Sequence, residues 1–217
     1  IIGTVLVSIV NYVMIYIART MTPSVMIKSL IFIIIGGVVV AMVTNKDQQW
    51  WLFNMSFLGT PEAISSWKFN LTLMFSALLM IALIDYLFVF LYDVLGKSKQ
   101  LIILKSILIM IAICLGGVGF FPYDDSVFNQ VMHNRSAQYL VYLFLILIIA
   151  IRWLLSSLSK DFLKLSYFIA AGIVAMIYLF LGIGYLSLTV FQLICFVLSF
   201  SWLLLLLQHL VNIVMNR

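Results

Sequence analysis

Polar side chains that could bind or transform a ligand cluster in one short segment between two apolar stretches. Residues 122–136 contain Asp124, Asp125, His133 and Arg135. Two carboxylates and an imidazole are suited to metal binding or acid–base work, whereas in a solvated loop the same charges would only pair with one another. A catalytic zinc site normally needs three protein ligands, and the only other histidine lies far along the chain. We therefore expect no metal and no cofactor.

The same segment is better suited to recognising an anionic group. Arginine presents several donors in a planar fork that matches phosphate geometry, and a neighbouring imidazole adds another donor. We expect Arg135 and His133 to contact a lipid headgroup, with Asp124 orienting them. A membrane enzyme that acts on a lipid headgroup through Asp124, Asp125 and His133 is the alternative.

Asp85 is the one acid deep inside an apolar stretch. An ionisable group in the membrane is energetically costly and indicates an ion path, a proton relay or a polar partner. A second interpretation stays open, because Asp85 lies only about two helical turns from Asp93 and so within reach of the inner interface. A transporter subunit that uses Asp85 as its coupling group is therefore a further alternative.

The composition indicates which solvent surrounds these residues. Of the 217 residues, 65% are hydrophobic and 9% are charged, with a mean hydropathy of +1.24. A soluble domain carries about a quarter charged residues, because its whole surface meets water. The chain is therefore predicted to be an all-α, polytopic membrane helical bundle, with residues 1–217 in a single transmembrane domain. Basic residues at the cytoplasmic rim explain the net charge of +5, and no dense basic run indicates nucleic acid.

The apolar stretches set the number of helices and their direction. A helix needs about 20 apolar residues to cross the hydrocarbon core. The seven stretches that qualify are 1–18, 25–43, 70–91, 101–121, 137–158, 162–186 and 189–207. Residues 1–24 would form an additional N-terminal helix before a six-helix core at 25–217.

Basic residues accumulate on the cytoplasmic side of membrane proteins, so their distribution predicts the orientation. With the N-terminus outside, the outer side holds only Lys46, Lys68 and Arg135. The inner side then holds Arg19, Lys28, Lys97, Lys99, Lys105, Arg152, Lys160, Lys164 and Arg217. We predict an outside N-terminus and a cytoplasmic C-terminus.

Two long connections, 44–69 and 122–136, lie on the predicted outer face, whereas the inner links are short. Long loops on one face of a bundle are where binding residues concentrate. The first loop is rich in tryptophan, including Trp50 and Trp67, and tryptophan rings favour the headgroup layer. We expect this loop to lie along the membrane surface, with a short helix capped by Thr60.

Glycine and cysteine in the apolar runs are interpreted as packing residues. Gly116, Gly117 and Gly119 precede the second loop, and glycine near a membrane helix end allows close approach. Cys114 and Cys195 lie inside apolar runs without CxxC spacing, so neither a disulfide framework nor a metal site is indicated.

Short motifs in both outer segments resemble those of a known superfamily. The matching residues are Ser56-Phe-Leu-Gly59 with Phe69-Asn70, then Gly116 to Gly119-Phe-Phe-Pro122-Tyr-Asp124 with His133 and Ala137. Together they resemble the two signatures of the FRAG/DRAM/SFK-type superfamily, most closely its bacterial membrane family of unknown function. The additional N-terminal helix departs from that family's six-helix pattern.

The resemblance implies little about activity. Eukaryotic members of the superfamily act in lipid-anchor remodelling, lipid-kinase regulation and autophagy, whereas the bacterial members have no agreed activity. The resemblance implies that six residues lie together at the outer mouth of the bundle: Ser56, Gly59, Asn70, Pro122, Asp124 and His133.

We favour a non-enzymatic, multi-pass protein of the cell membrane that binds a lipid headgroup or a membrane partner through loops 44–69 and 122–136. Its expected partners are membrane lipids, with another membrane protein subunit as the alternative. The expected ligand-binding residues are Ser56, Gly59, Asn70, Asp124, His133 and Arg135, with Asp85 as an intramembrane polar residue.

Overall fold

The computed structural model describes residues 2–46, 49–64 and 66–215, and this part of the chain contains helices and no strand. Its α-helices, in chain order, are α1 (Ile2–Thr20), α2 (Pro23–Thr44), α3 (Ser66–Leu95), α4 (Lys99–Phe120), α5 (Val127–Leu154), α6 (Lys160–Ile177) and α7 (Leu188–Met215). A π-helical segment, Tyr178–Gly182, continues α6. Two 3-10 helices, Trp50–Leu52 and Met55–Gly59, lie between α2 and α3.

Six helices in the described part of the chain, α2 to α7, are long and apolar enough to cross a membrane. A helix satisfies its own backbone hydrogen bonds, which is what hydrocarbon requires of a spanning segment. The apolar stretch of α1, Gly3–Tyr16, is shorter. These features confirm the predicted all-α, polytopic membrane bundle, and the protein is a multi-pass membrane protein.

Serine and threonine caps fix where four of the helices begin. The side chains of Thr22, Ser98, Ser126 and Ser159 each accept a hydrogen bond from the backbone N–H three residues later. Each cap pairs one of the N–H groups that the first turn of a helix leaves without a partner. Gly96, just after α3, has a φ of 75°, the left-handed conformation in which glycine ends a helix.

The centre of the bundle is α3, which packs against α2, α4 and α7. Leu83 of α3, Leu104 of α4 and Leu147 of α5 are fully buried in one apolar core. In the same core, Trp202 of α7 donates its indole N–H to the Ser166 hydroxyl of α6 at 2.8 Å, and both side chains are buried. The paired indole removes the cost of burying a polar group in this core.

Helix α1 does not share this core. Every side chain from Gly3 to Tyr16 is exposed, and in the described residues α1 makes no extended contact with another helix. The core of the bundle is therefore built from α2 to α7.

The connection between α4 and α5 is much shorter than the predicted loop 122–136. Helix α5 begins at Val127, not near residue 137, because Ser126 caps it there. Its 28 residues span about 42 Å, more than the roughly 30 Å of hydrocarbon in a bilayer. His133 and Arg135 therefore lie in the first turns of a helix that extends beyond the hydrocarbon, whereas Asp124 and Asp125 precede it.

The predicted helix at Thr60 is wrong. Thr60 instead follows the Met55–Gly59 helix, where its hydroxyl donates to the Phe57 carbonyl at 3.0 Å. Asn54 provides the N-terminal cap of that helix, because its side-chain oxygen accepts from the Phe57 N–H at 2.9 Å. The helical turn therefore lies before the Thr60-Pro61 step.

Three connections meet at one end of the bundle, which we call the outer end after the predicted sidedness; their described residues are 45–46 with 49–64, 121–126 and 183–187. Thr189 at the start of α7 donates to the Trp51 carbonyl at 2.7 Å, and the Gln192 side chain accepts from the Met55 N–H at 2.7 Å. These bonds hold the first connection against α7. The sidedness itself stays a prediction.

Candidate functional site

His133 is the centre of the polar network at the outer end. It is buried in the first turns of α5, with Nδ1 2.9 Å from the Phe121 carbonyl oxygen and Nε2 3.0 Å from the Ser56 hydroxyl oxygen. A carbonyl can only accept, so Nδ1 carries the ring proton. In the neutral ring Nε2 is therefore an acceptor, and the Ser56 hydroxyl donates to it.

The segment that carries Ser56 is fixed by bonds on both of its sides. The Gln192 side chain holds the Met55 N–H, and Asn54 caps the same short helix. At its other end, the Asn70 amide of α3 donates to the Gly59 carbonyl at 3.0 Å. Ser56 therefore faces His133 from a segment that is attached to both α3 and α7.

Two glycines allow this close packing around Asn70. A Cβ at Gly59 would collide with the Asn70 side chain, and a Cβ at Gly119 of α4 would lie 2.6 Å from the Asn70 carbonyl oxygen. Gly117 likewise faces Ser136, whose hydroxyl would lie 2.6 Å from an added Cβ. The interpretation of the α4 glycines as packing residues is thus supported by their contacts. Of the expected site residues, Ser56, Gly59, Asn70 and His133 form one connected cluster.

The expectation that Asp124 orients His133 and Arg135 is wrong. The Asp124 carboxylate accepts from the Ser126 N–H at 2.9 Å and from the Asn129 side chain at 2.7 Å. Its role is to shape the turn that leads into α5. The Phe121 carbonyl and Ser56 orient His133 instead.

Arg135 does not share a surface with His133. The two residues are two positions apart on α5, which places them about 200° apart around a helix of 3.6 residues per turn. His133 is buried and Arg135 is exposed, as that geometry requires. Asp125 is also exposed, and no group of three potential metal ligands occurs in the described part of the chain.

Asp85 lies on the exposed face of α3, away from the core of the bundle, and is paired with a lysine. Its carboxylate is 2.8 Å from Lys105 Nζ of α4, and 59% of the Asp85 side chain is exposed. Asp85 does not line the cavity described next. A polar partner, one of the interpretations left open for this acid, is therefore present.

An elongated cavity of about 170 Å³ lies beneath the His133–Ser56 pair. Its walls come from α2, α3, α4, α5 and α7 and are mainly apolar, with Ser56 and Gln192 at the outer end. Along α7 the lining runs from Phe191 to Leu203, about 18 Å of helix. A narrow apolar space with polar groups at one end is suited to a hydrocarbon chain that carries a polar head.

The sequence interpretation missed this cavity, although one signal for it was present. His133, Ala137, Leu140 and Phe144 follow the three- and four-residue spacing that places side chains on one face of a helix. The last three of them line the cavity. Treating residues 122–136 as a loop hid the pattern, because it removed His133 from the helix.

Comparisons with known proteins give one family match. The model of the family described as "Protein of unknown function (DUF998)" matches residues 26–209, which contain nearly all of α2 to α7. No curated protein and no solved structure match the chain. The resemblance to a membrane family of unknown function is confirmed, whereas the wider FRAG/DRAM/SFK-type superfamily stays a prediction.

Proposed function

Because this chain belongs to the DUF998 family of proteins of unknown function, which assigns no activity, we propose a function from the geometry of the outer end. The protein binds a lipid of the cell membrane, with an acyl chain in the cavity and the polar part of the lipid beside Ser56 and His133. One observation carries the proposal: an apolar cavity whose polar lining at its outer end includes Ser56 and Gln192.

The size of the cavity supports occupancy by part of one chain. An engineered apolar cavity of about 150 Å³ stays dry and takes up benzene, because water gains no hydrogen bonds there. The cavity here has a similar volume, and its lining includes Leu73, Leu115 and Phe144. A segment of acyl chain in this space would gain contacts that water cannot make.

The gap between α5 and α7 supports entry from the bilayer. The cavity takes no lining residue from α6, and α5 and α7 make few direct contacts. Leu140 and Val141 on α5 and Phe196 on α7 line it while remaining partly exposed. A lipid could therefore place one chain through this gap while its other chain stays in the membrane.

The surroundings of the outer end suit a phospholipid headgroup. Exposed Trp51 and Trp67 match the preference of tryptophan for the headgroup layer. Arg135 lies two residues after His133, on the exposed face of α5. Its long side chain can reach a lipid phosphate from there. In this proposal Arg135 attracts anionic lipid, and the cavity holds the chain.

A pair of substitutions on α5 tests the proposal. Val141→Trp fills the cavity from its wall, whereas Ile146→Trp adds the same bulk to an exposed position. Lipid that remains with the purified protein is counted by native mass spectrometry. We expect Val141→Trp to lose most of the bound lipid and Ile146→Trp to match the wild type. Equal lipid content in all three proteins, or none in the wild type, would overturn the proposal.

A further inference from the structure

Ser56 and His133 have the arrangement of a nucleophile and its general base. The Ser56 hydroxyl lies 3.0 Å from His133 Nε2, and a third group, the Phe121 carbonyl, holds the opposite ring nitrogen at 2.9 Å. An activated serine is recognised by these two hydrogen bonds, one from nucleophile to base and one from base to an orienting group. The tautomer that the Phe121 carbonyl imposes leaves Nε2 free to accept the serine proton.

The position of Ser56 at the cavity adds a reason to expect chemistry. Ser56 lines the outer end of the cavity, and His133 stands behind it, buried from solvent. In a glycerophospholipid the acyl chain is joined to the glycerol through an ester, at the boundary between chain and headgroup. A chain seated in the cavity would bring that ester to the level of Ser56.

We propose that Ser56 and His133 form a catalytic pair that transfers the acyl group of a glycerophospholipid ester. The inference rests on the proposed lipid site, and it assigns an activity to it. It departs from the expectation of a non-enzymatic protein, which considered the acids near His133 and not the serine on the other connection.

The reaction proceeds in two balanced steps. Ser56 Oγ forms a bond to the ester carbonyl carbon as its proton passes to His133 Nε2. The bond from that carbon to the glycerol oxygen then breaks, and Nε2 returns the proton to the departing oxygen, which leaves a lysophospholipid and an acyl ester on Ser56. Water attacks the acyl ester, gives a proton to Nε2, and releases the fatty acid as Ser56 regains its hydrogen.

The opposing interpretation is that the bond only holds the first connection against α5. A second serine in the cavity separates the two cases. Ser199 of α7 also lines the cavity, but it has no histidine partner in the described part of the chain. A structural bond would leave both serines unreactive, whereas a catalytic pair would make Ser56 alone reactive.

Covalent labelling of the purified full chain tests the inference. The probe is an alkyl fluorophosphonate with a long hydrocarbon chain, presented in bilayer discs of phosphatidylethanolamine and phosphatidylglycerol. We expect phosphonylation at Ser56 and not at Ser199, no labelling in Ser56→Ala, and unchanged labelling in Ser157→Ala, an exposed position outside the cavity. His133→Gln should slow the reaction by about 100- to 10,000-fold, the usual contribution of a general base. If that variant does not fold, the comparison of the two serines in the wild-type protein decides.

The outcomes distinguish a failure of the acyl-transfer inference from a failure of the proposed lipid site. If the wild type retains lipid that Val141→Trp loses, but Ser56 is not labelled and no lysophospholipid forms, acyl transfer is overturned and lipid binding stands. If the wild type retains no lipid and Ser56 is unreactive, both proposals fail. Labelling of Ser56 together with release of lysophospholipid from the discs supports both.

Discussion

His133 Nε2 lies 3.0 Å from the Ser56 hydroxyl, although 77 residues separate the two in the chain. His133 belongs to α5 and Ser56 to the Met55–Gly59 helix, so a single hydrogen bond joins α5 to the first connection at the outer end of the cavity. The Phe121 carbonyl fixes the other side of the same ring. His133 therefore links α5, the Phe121 backbone and the segment that carries Ser56.

Removing the imidazole should destabilise this end of the bundle. His133→Ala leaves the partly buried Phe121 carbonyl and Ser56 hydroxyl without their partner, at a cost of up to about 1–3 kcal/mol, the range for fully buried groups. We expect a lower thermal midpoint in detergent by scanning calorimetry. Asn134→Ala, at the next and exposed position, is the matched control. Equal midpoints for the two variants would contradict the bridging role.

A methyl group at Gly119 should be poorly tolerated. The added Cβ would lie 2.6 Å from the Asn70 backbone oxygen, so α3 and α4 must move apart, at a cost of about 1–3 kcal/mol. Gly36→Ala is the control, because nothing lies near its added Cβ and alanine is the better helix former by up to about 1 kcal/mol. Denaturation should show a lower free energy of unfolding for Gly119→Ala and a higher one for Gly36→Ala. Changes of the same sign in both variants would count against the close α3–α4 contact.

Neutralising Asp85 should leave lipid retention unchanged. Asp85 lies away from the cavity lining, on the exposed side of α3, where it pairs with Lys105 at 2.8 Å. Asp85→Asn and Lys105→Gln should both keep the lipid content of the wild type, because neither side chain lines the cavity. Ion- or proton-dependent uptake into vesicles that is present in the wild type and lost in Asp85→Asn would contradict this and favour a transporter.

The predicted sidedness can be tested on exposed positions at the two ends of the bundle. Asp125 lies in the outer connection and Lys97 in the opposite one, and both side chains are exposed. The native Cys114 and Cys195 are buried and should stay unlabelled. An impermeant maleimide on intact cells should modify Asp125→Cys, and it should modify Lys97→Cys only after permeabilisation. The reverse pattern would invert the assigned orientation.

The helices of the bundle could be predicted because apolar length is a local property. The stretch 101–121 matches α4 within two residues at each end, because this helix is apolar over nearly its whole length. The start of α5 was missed by ten residues, because a helix that leaves the hydrocarbon becomes polar and then resembles a loop. Apolar length detects the part of a helix inside the membrane and not the whole helix.

The sequence could predict which residues belong to the site, but not which of them contact one another. The resemblance brought Ser56, Asn70 and His133 to attention, yet nothing along the chain indicates that Ser56 faces His133, since the contact spans two connections. Charge directed the interpretation to Arg135 and Asp124, which the fold uses elsewhere. The cavity has walls from α2, α3, α4, α5 and α7, so the residue spacing along α5 indicates one wall but not the space that the other helices enclose.

The most direct test of lipid in the cavity is photo-crosslinking with a phospholipid that carries a diazirine in one acyl chain. In bilayer discs, crosslinked peptides are mapped by mass spectrometry. Crosslinks at Leu140 and Phe196, which line the cavity, and their loss in Val141→Trp are the predicted result. Crosslinks confined to lipid-facing positions such as Phe32 and Val197, with none in the cavity, would contradict the account.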